Sequence, residues 1–149
     1  MARSRHTNLK RLIKLAHKVR IEVETHAGHH YPPNSLRGGC ATTSIKLMKE
    51  ARSNDIKVRM AYGFYYSTMK QKKKSDGHHH WWIEYDGHII DATATQFRFV
   101  PFSEKVVVCS AKSAHYEKRE EMWTIEDAWD SIETWAIVPK ALQKNCLRV

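Results

Sequence analysis

Cysteine, proline and glycine are scarce in this 149-residue chain, at three, four and six residues. Cys40, Cys109 and Cys146 are too few and too widely spaced for a disulfide framework, and their odd number fits reduced thiols. No apolar run approaches the ~20 residues that a membrane-spanning helix needs. Mean hydropathy is -0.61, so the sequence predicts no membrane span. The first segment, MARSRHTNLKRLIKLAHKVR, has no acid and no continuous apolar stretch, which argues against a secretory signal. Ser and Thr are sparse there, which counts against an organelle presequence. A cytoplasmic protein is the resulting expectation. Zinc-finger spacing, an RNA-recognition signature and a helix-turn-helix pattern are also missing.

What is there is a globular composition, with 42% hydrophobic and 28% charged residues. The length fits one domain over 1–149, large enough to bury a core without staples. The net charge of +9 is unevenly placed. Arg3, Arg5, Lys10, Arg11, Lys14, Lys18 and Arg20 precede the first acid, Glu22, and Lys70, Lys72, Lys73 and Lys74 form a second run. Acids gather instead at Glu117, Glu120, Glu121, Glu126, Asp127, Asp130 and Glu133. Charge runs are usually solvated faces, and that reading comes first. An acidic substrate or a nucleic acid is the second.

Hydrophobic spacing predicts a basic N-terminal helix within 1–24, beginning near residue 8: Leu9, Leu12, Ile13, Ala16 and Val19 line one face. GHHYPPNSLRGG reads as a loop. A second helix opens at Cys40, with Cys40, Ser44, Leu47, Met48 and Ala51 on one side, and stops at Ser53-Asn54-Asp55. Residues 57–67 read as a strand, 105–110 as another, and 124–135 as a C-terminal helix opened by Thr124 with Asp127 three positions on. The expected class is α+β, an antiparallel sheet packed against the cysteine-bearing helix.

The most specific local signal is HHHWWIEY, Asp86-Gly87, HIIDATAT. Asp-Gly between two strand-like runs marks a two-residue type I′ hairpin. Tyr85 then faces His88, which puts His80, Trp82 and Asp91 on one sheet face and His79, Trp81, Ile83 and Ile90 on the other. His80 and Asp91 are diagonal neighbours, close enough for an imidazole to meet a carboxylate. A carboxylate that orients an imidazole is two thirds of a nucleophilic triad. Cys40 is the candidate for the third part: Gly38-Gly39 allows a tight turn, and a helix N-terminus favours a thiolate and offers free amides to an oxyanion.

Each residue has an ordinary alternative. A lone helical cysteine is more often packing than nucleophile. His80 could bond a carbonyl, and Asp91 could simply end its strand. Cys109 follows three valines, where inert burial is expected, and Cys146 lies in a tail. His78, His80, His29 and His30 could supply imidazoles to zinc, but no HExxH, CxxC or paired Cys/His spacing accompanies them, so no metal or other cofactor is assigned. Among the tryptophans, Trp81, Trp123, Trp129 and Trp135 are expected in core packing, while Trp82 could wall a substrate groove.

LRGGCATTSIKLMKEA, HWWIEYDG and IIDATATQF, in that order, resemble the transglutaminase-like, papain-related cysteine enzyme superfamily over roughly residues 31–97. The resemblance implies a papain-like core, with Cys40 as nucleophile, His80 as general base and acid, and Asp91 as orienting carboxylate. It implies acyl transfer from an amide through a thioester, resolved by water or an amine. Asp91-Ala92-Thr93 stands where similar sequences often have Asp-Pro-Thr, and no calcium loop is visible. Tyr31 and Asn34 are the candidates for an upstream substrate or oxyanion contact. The functional expectation is a hydrolase or acyltransferase acting on peptide amides. The rival is a basic nucleic-acid-binding module, or an inactive derivative of the same fold.

Overall fold

The structure is a computed structural model, and it describes residues 2–27, 40–66, 77–93 and 105–136. The loop at 28–39, with Tyr31, Asn34, His29, His30 and the Gly38-Gly39 pair, lies outside the described residues. So do the lysine run at 70–74 and Cys146. The elements, in order, are α1 (Ala2–Ala27), α2 (Cys40–Ser53), β1 (Arg59–Tyr65), β2 (His78–Tyr85), β3 (His88–Asp91), β4 (Val107–Ser110), β5 (Tyr116–Met122) and α3 (Ile125–Ala136). The class is α+β. One five-stranded sheet runs β4-β3-β2-β1-β5, with every neighbouring pair antiparallel. Among the described residues, no helix is long and apolar enough to cross a membrane.

The helices cover one face of the sheet. Leu12, Ala16 and Val19 of α1 and Leu47, Met48 and Ala51 of α2 meet Met60, Trp81, Ile83, Ile90 and Met122 in a single buried cluster. Each of the leucine, isoleucine, valine and methionine side chains contributes roughly 1.5–3 kcal/mol through the area it removes from water. The predicted α2 face is the buried one. A Schellman turn ends this helix: Asp55 sits at φ 58°, its N–H donates to Arg52 O, and the N–H of Ile56 donates to Ala51 O. The opposite sheet face gathers Ala61, Tyr65, Trp82, Ile89 and Tyr116.

The β2–β3 hairpin has the expected register, with Tyr85 opposite His88, Glu84 opposite Ile89 and Ile83 opposite Ile90. Asp86 and Gly87 both have positive φ, at 45° and 73°, as a type I′ turn requires. Thr124 caps α3 by accepting the N–H of Asp127 at 3.0 Å.

Four expectations are corrected. α1 is longer than the 8–24 stretch and begins at Ala2. Arg20, assigned to the solvated basic face, is 1% exposed; it donates to Ala92 O at 2.8 Å and to Glu24 Oε1 at 2.7 Å, tying α1 to the chain just after β3. Cys109 is only half-buried, because β4 is an edge strand whose pattern alternates. Trp123 and Trp129 are exposed at 45% and 41%, under Lys57 and Lys49 respectively, and are not core residues.

The strand that sequence pattern missed is β5. YEKREEM shows no alternation because five consecutive charged residues, Glu117 to Glu121, fill both faces, and the strand also carries a bulge. Tyr62 pairs with Glu120 but Gly63 pairs with Lys118, leaving Arg119 as an extra residue. One extra residue reverses the parity of everything beyond it. Met122 therefore joins the helix-covered cluster, while Tyr116, an even number of positions away, turns to the opposite face. Gly63 makes the bulge possible, since a Cβ there would lie 2.0 Å from Glu117 O.

Candidate active site

α2 runs across β2, and Ser44 Oγ donates to Trp81 O at 3.2 Å. This crossing sets Cys40, the first residue of α2, against the start of β2. The Cys40 side chain hydrogen-bonds the His80 imidazole and lies within electrostatic reach of His79 as well. On its other side, His80 Nε2 meets Asp91 Oδ2 at 2.6 Å. With Nε2 committed to the carboxylate, Nδ1 is the nitrogen left for the sulfur. Sulfur, imidazole and carboxylate thus stand in sequence, and all three are buried: Cys40 1%, His80 0% and Asp91 1% exposed.

Asp91 is held at both oxygens. Oδ2 also accepts from Tyr116 Oη at 2.8 Å, and Oδ1 accepts from the Thr93 N–H at 2.9 Å and Thr93 Oγ1 at 3.2 Å. Burial alone would favour the neutral acid, but the His80 charge and these donors hold its pKa below the usual carboxylate value. Burial alone would likewise discharge His80. The Asp91 charge and hydrogen bond, with a smaller contribution from Cys40, instead push its pKa up to about 9. Aromatic rings enclose the imidazole: Trp82 stacks at 5.9 Å, Tyr65 stands edge-on at 6.0 Å and Tyr116 lies 6.3 Å away.

His79 has opposite surroundings. Its ring stacks on Tyr62, whose hydroxyl shares a hydrogen bond with Nδ1, and tilts against Phe64. Desolvation lowers its pKa, with the charge of Cys40 opposing and that of His78 adding. Cys109 is also set apart from Cys40. Burial pushes its thiol up, Ser113 opposes, and Asp91 repels a thiolate there.

Of the residues singled out by sequence, Cys40, His80 and Asp91 come together. Trp82 shares their face but is 1% exposed and packs the imidazole, so it touches a substrate only after opening. Sequence reasoning missed Tyr116, Thr93, Tyr65 and Arg20. Thr93 had a signal in its position two after the carboxylate, where a hydroxyl residue closes a local turn. Tyr116 had none, because its role depends on the bulge. Among the described residues, no group of three or more His, Cys, Asp or Glu side chains is placed to hold a metal ion. No protein-family model, curated protein or solved structure matches the chain.

Proposed function

We propose that this protein is a cysteine-dependent hydrolase or acyltransferase acting on amide bonds of a peptide or protein, built on a transglutaminase-like core. The observation that carries the reading is the buried 2.6 Å bond from His80 Nε2 to Asp91, with Cys40 bonded to the same ring. A histidine held cationic at neutral pH is not a ready base for an alcohol, but it is the natural partner of a thiolate. Because the coupling is mutual, a charged His80 favours ionised Cys40 as much as ionised Cys40 favours charged His80.

The thiolate sulfur attacks the amide carbonyl carbon, and the oxyanion turns toward the unpaired amides at the start of α2. His80 gives its Nδ1 proton to the departing amine nitrogen as the C–N bond breaks, which leaves a thioester. A water or amine then loses a proton to Nδ1, attacks the thioester, and restores thiolate and imidazolium. Asp91 takes no proton; it fixes the ring and stabilises its charge.

The test is intact-mass trapping with an electrophilic amide mimic. Wild type is expected to gain one adduct on Cys40, ahead of Cys109, and Cys40→Ala and His80→Ala none. Because Cys40 is buried, small electrophiles are expected to react faster than bulky ones. Equal labelling of Cys40 and Cys109, or unchanged labelling in His80→Ala, would overturn the reading. One observation favours a second reading: His6, Lys10, Lys14 and His17 form an exposed basic stripe on α1. Salt-sensitive nucleic-acid binding that Cys40→Ala leaves intact would support a binding module instead.

A further inference from the structure

On the helix side of the sheet, β5 and α3 flank an open cavity of about 620 Å³, within the range of small-ligand sites. The half-buried Tyr62 ring borders it, backed by the buried Trp81 with ring centroids 4.8 Å apart. Glu120, Asp127 and Asp130 stand around it. Glu121 is neutralised by Lys118 and Arg59, but no cation pairs with those three carboxylates among the described residues. In a chain of net charge +9, this is a local reversal of sign.

The Tyr62 ring and the carboxylates together suit an organic cation. The ring attracts the charge, and the carboxylates accept its N–H bonds. Two contacts link the cleft to the candidate active site. Tyr62 hydrogen-bonds His79, which lies within electrostatic reach of Cys40, and the carbonyl of Trp81 accepts from Ser44, one turn along α2 from the sulfur. We propose that this cavity binds the ammonium or guanidinium of a lysine or arginine side chain in a peptide whose neighbouring amide is the one presented to Cys40. The placement beside the amide rests on the function proposed above; the cation site rests on the cavity alone.

Calorimetric titration of wild type and Cys40→Ala with a capped dilysine peptide, its acetyllysine counterpart and spermidine tests the proposal. Both proteins are expected to bind the lysine peptide, with roughly tenfold loss on acetylation, which removes the charge and the ring contact together. Glu120→Gln with Asp130→Asn is expected to weaken binding roughly fivefold, as suits two exposed ion pairs. Glu133→Gln, on α3 outside the cavity, should leave it unchanged. Asp127 is retained because it sits in the capped first turn of α3, and Asp130→Asn alone serves if the double variant misfolds. Equal affinity for the two peptides, or no effect of neutralising the carboxylates, overturns the cation site. Spermidine binding without peptide binding overturns the peptide assignment. Peptide binding by a protein that forms no adduct with the electrophilic trap overturns the catalytic reading and spares the cation site. Adduct formation without charge-selective binding does the reverse.

Discussion

His79 and His80 are consecutive residues of β2, yet the pleat sends their rings to opposite faces and into opposite electrostatic company. His80 enters a buried polar face and finds Asp91; His79 enters the helix-covered face and finds Tyr62. Both lose water, which disfavours the charged form of each. Only His80 gains a carboxylate, and that partner, with a smaller contribution from Cys40, reverses the sign. The comparison shows that burial alone does not set a histidine's charge: a buried anion within hydrogen-bond distance outweighs desolvation, and a neutral hydroxyl does not.

The contrast can be broken most severely at the chemistry. His80→Gln is expected to slow electrophile capture at Cys40 by roughly a thousandfold, the scale on which triad members act. His79→Gln is expected to cost less than tenfold, measured by the rate of adduct formation. Comparable losses would mean that the thiol does not distinguish the two rings.

Asp91→Asn removes the reversing anion while keeping its shape. The variant should lose about 3 kcal/mol in denaturant unfolding, because a buried pair is broken. His80 should then titrate below its ordinary value, as His79 does. Gly63→Ala attacks the same site through the backbone. With Cβ 2.0 Å from Glu117 O, β5 must shift and draw Tyr116 from Asp91, at a cost of roughly 2–3 kcal/mol. Tyr116→Phe deletes only one donor to Asp91, and about 1 kcal/mol is expected.

The pH dependence separates the two rings without mutation. His80 rises from 6.5 unfolded to about 9 folded, so the folded state holds the extra proton between those values. Its contribution to stability is complete below about 6.5 and is lost as pH rises through about 9. Asp91, with its lowered pKa, contributes above its ordinary value of 3.8 and loses that contribution as pH falls. His79 has the opposite sign to His80: its lowered pKa makes stability fall as pH drops below 6.5. Imidazole NMR titration should show His80 still protonated at pH 8 and His79 titrating below 6.5. The same order for both rings would remove the basis of the comparison.

Much of the candidate site was legible in the chain because it is short-range. Asp-Gly admits the turn that fixes the β2–β3 register, and the pleat then assigns His80 and Asp91 to one face and His79 and Ile90 to the other. The start of α2 at Cys40 and its stop at Asp55 follow equally from local backbone preference. Arg20 was not legible, because the carbonyl that it holds lies 72 positions away. Tyr116 was not legible either, since the charged run in YEKREEM carries no period and the bulge hides which face Tyr116 takes.

Local sterics and a period of two thus determined which side of its strand each reactive group occupies. Only the tertiary structure decided which groups meet across the sheet. Pairing β5 with β1 aims Tyr116 at Asp91, and seating α2 on β2 carries the Cys40 sulfur to His80. The physical reason is range: a turn and a pleat are set by bonds within a few residues, whereas these encounters are selected by the apolar surface that distant segments bury together.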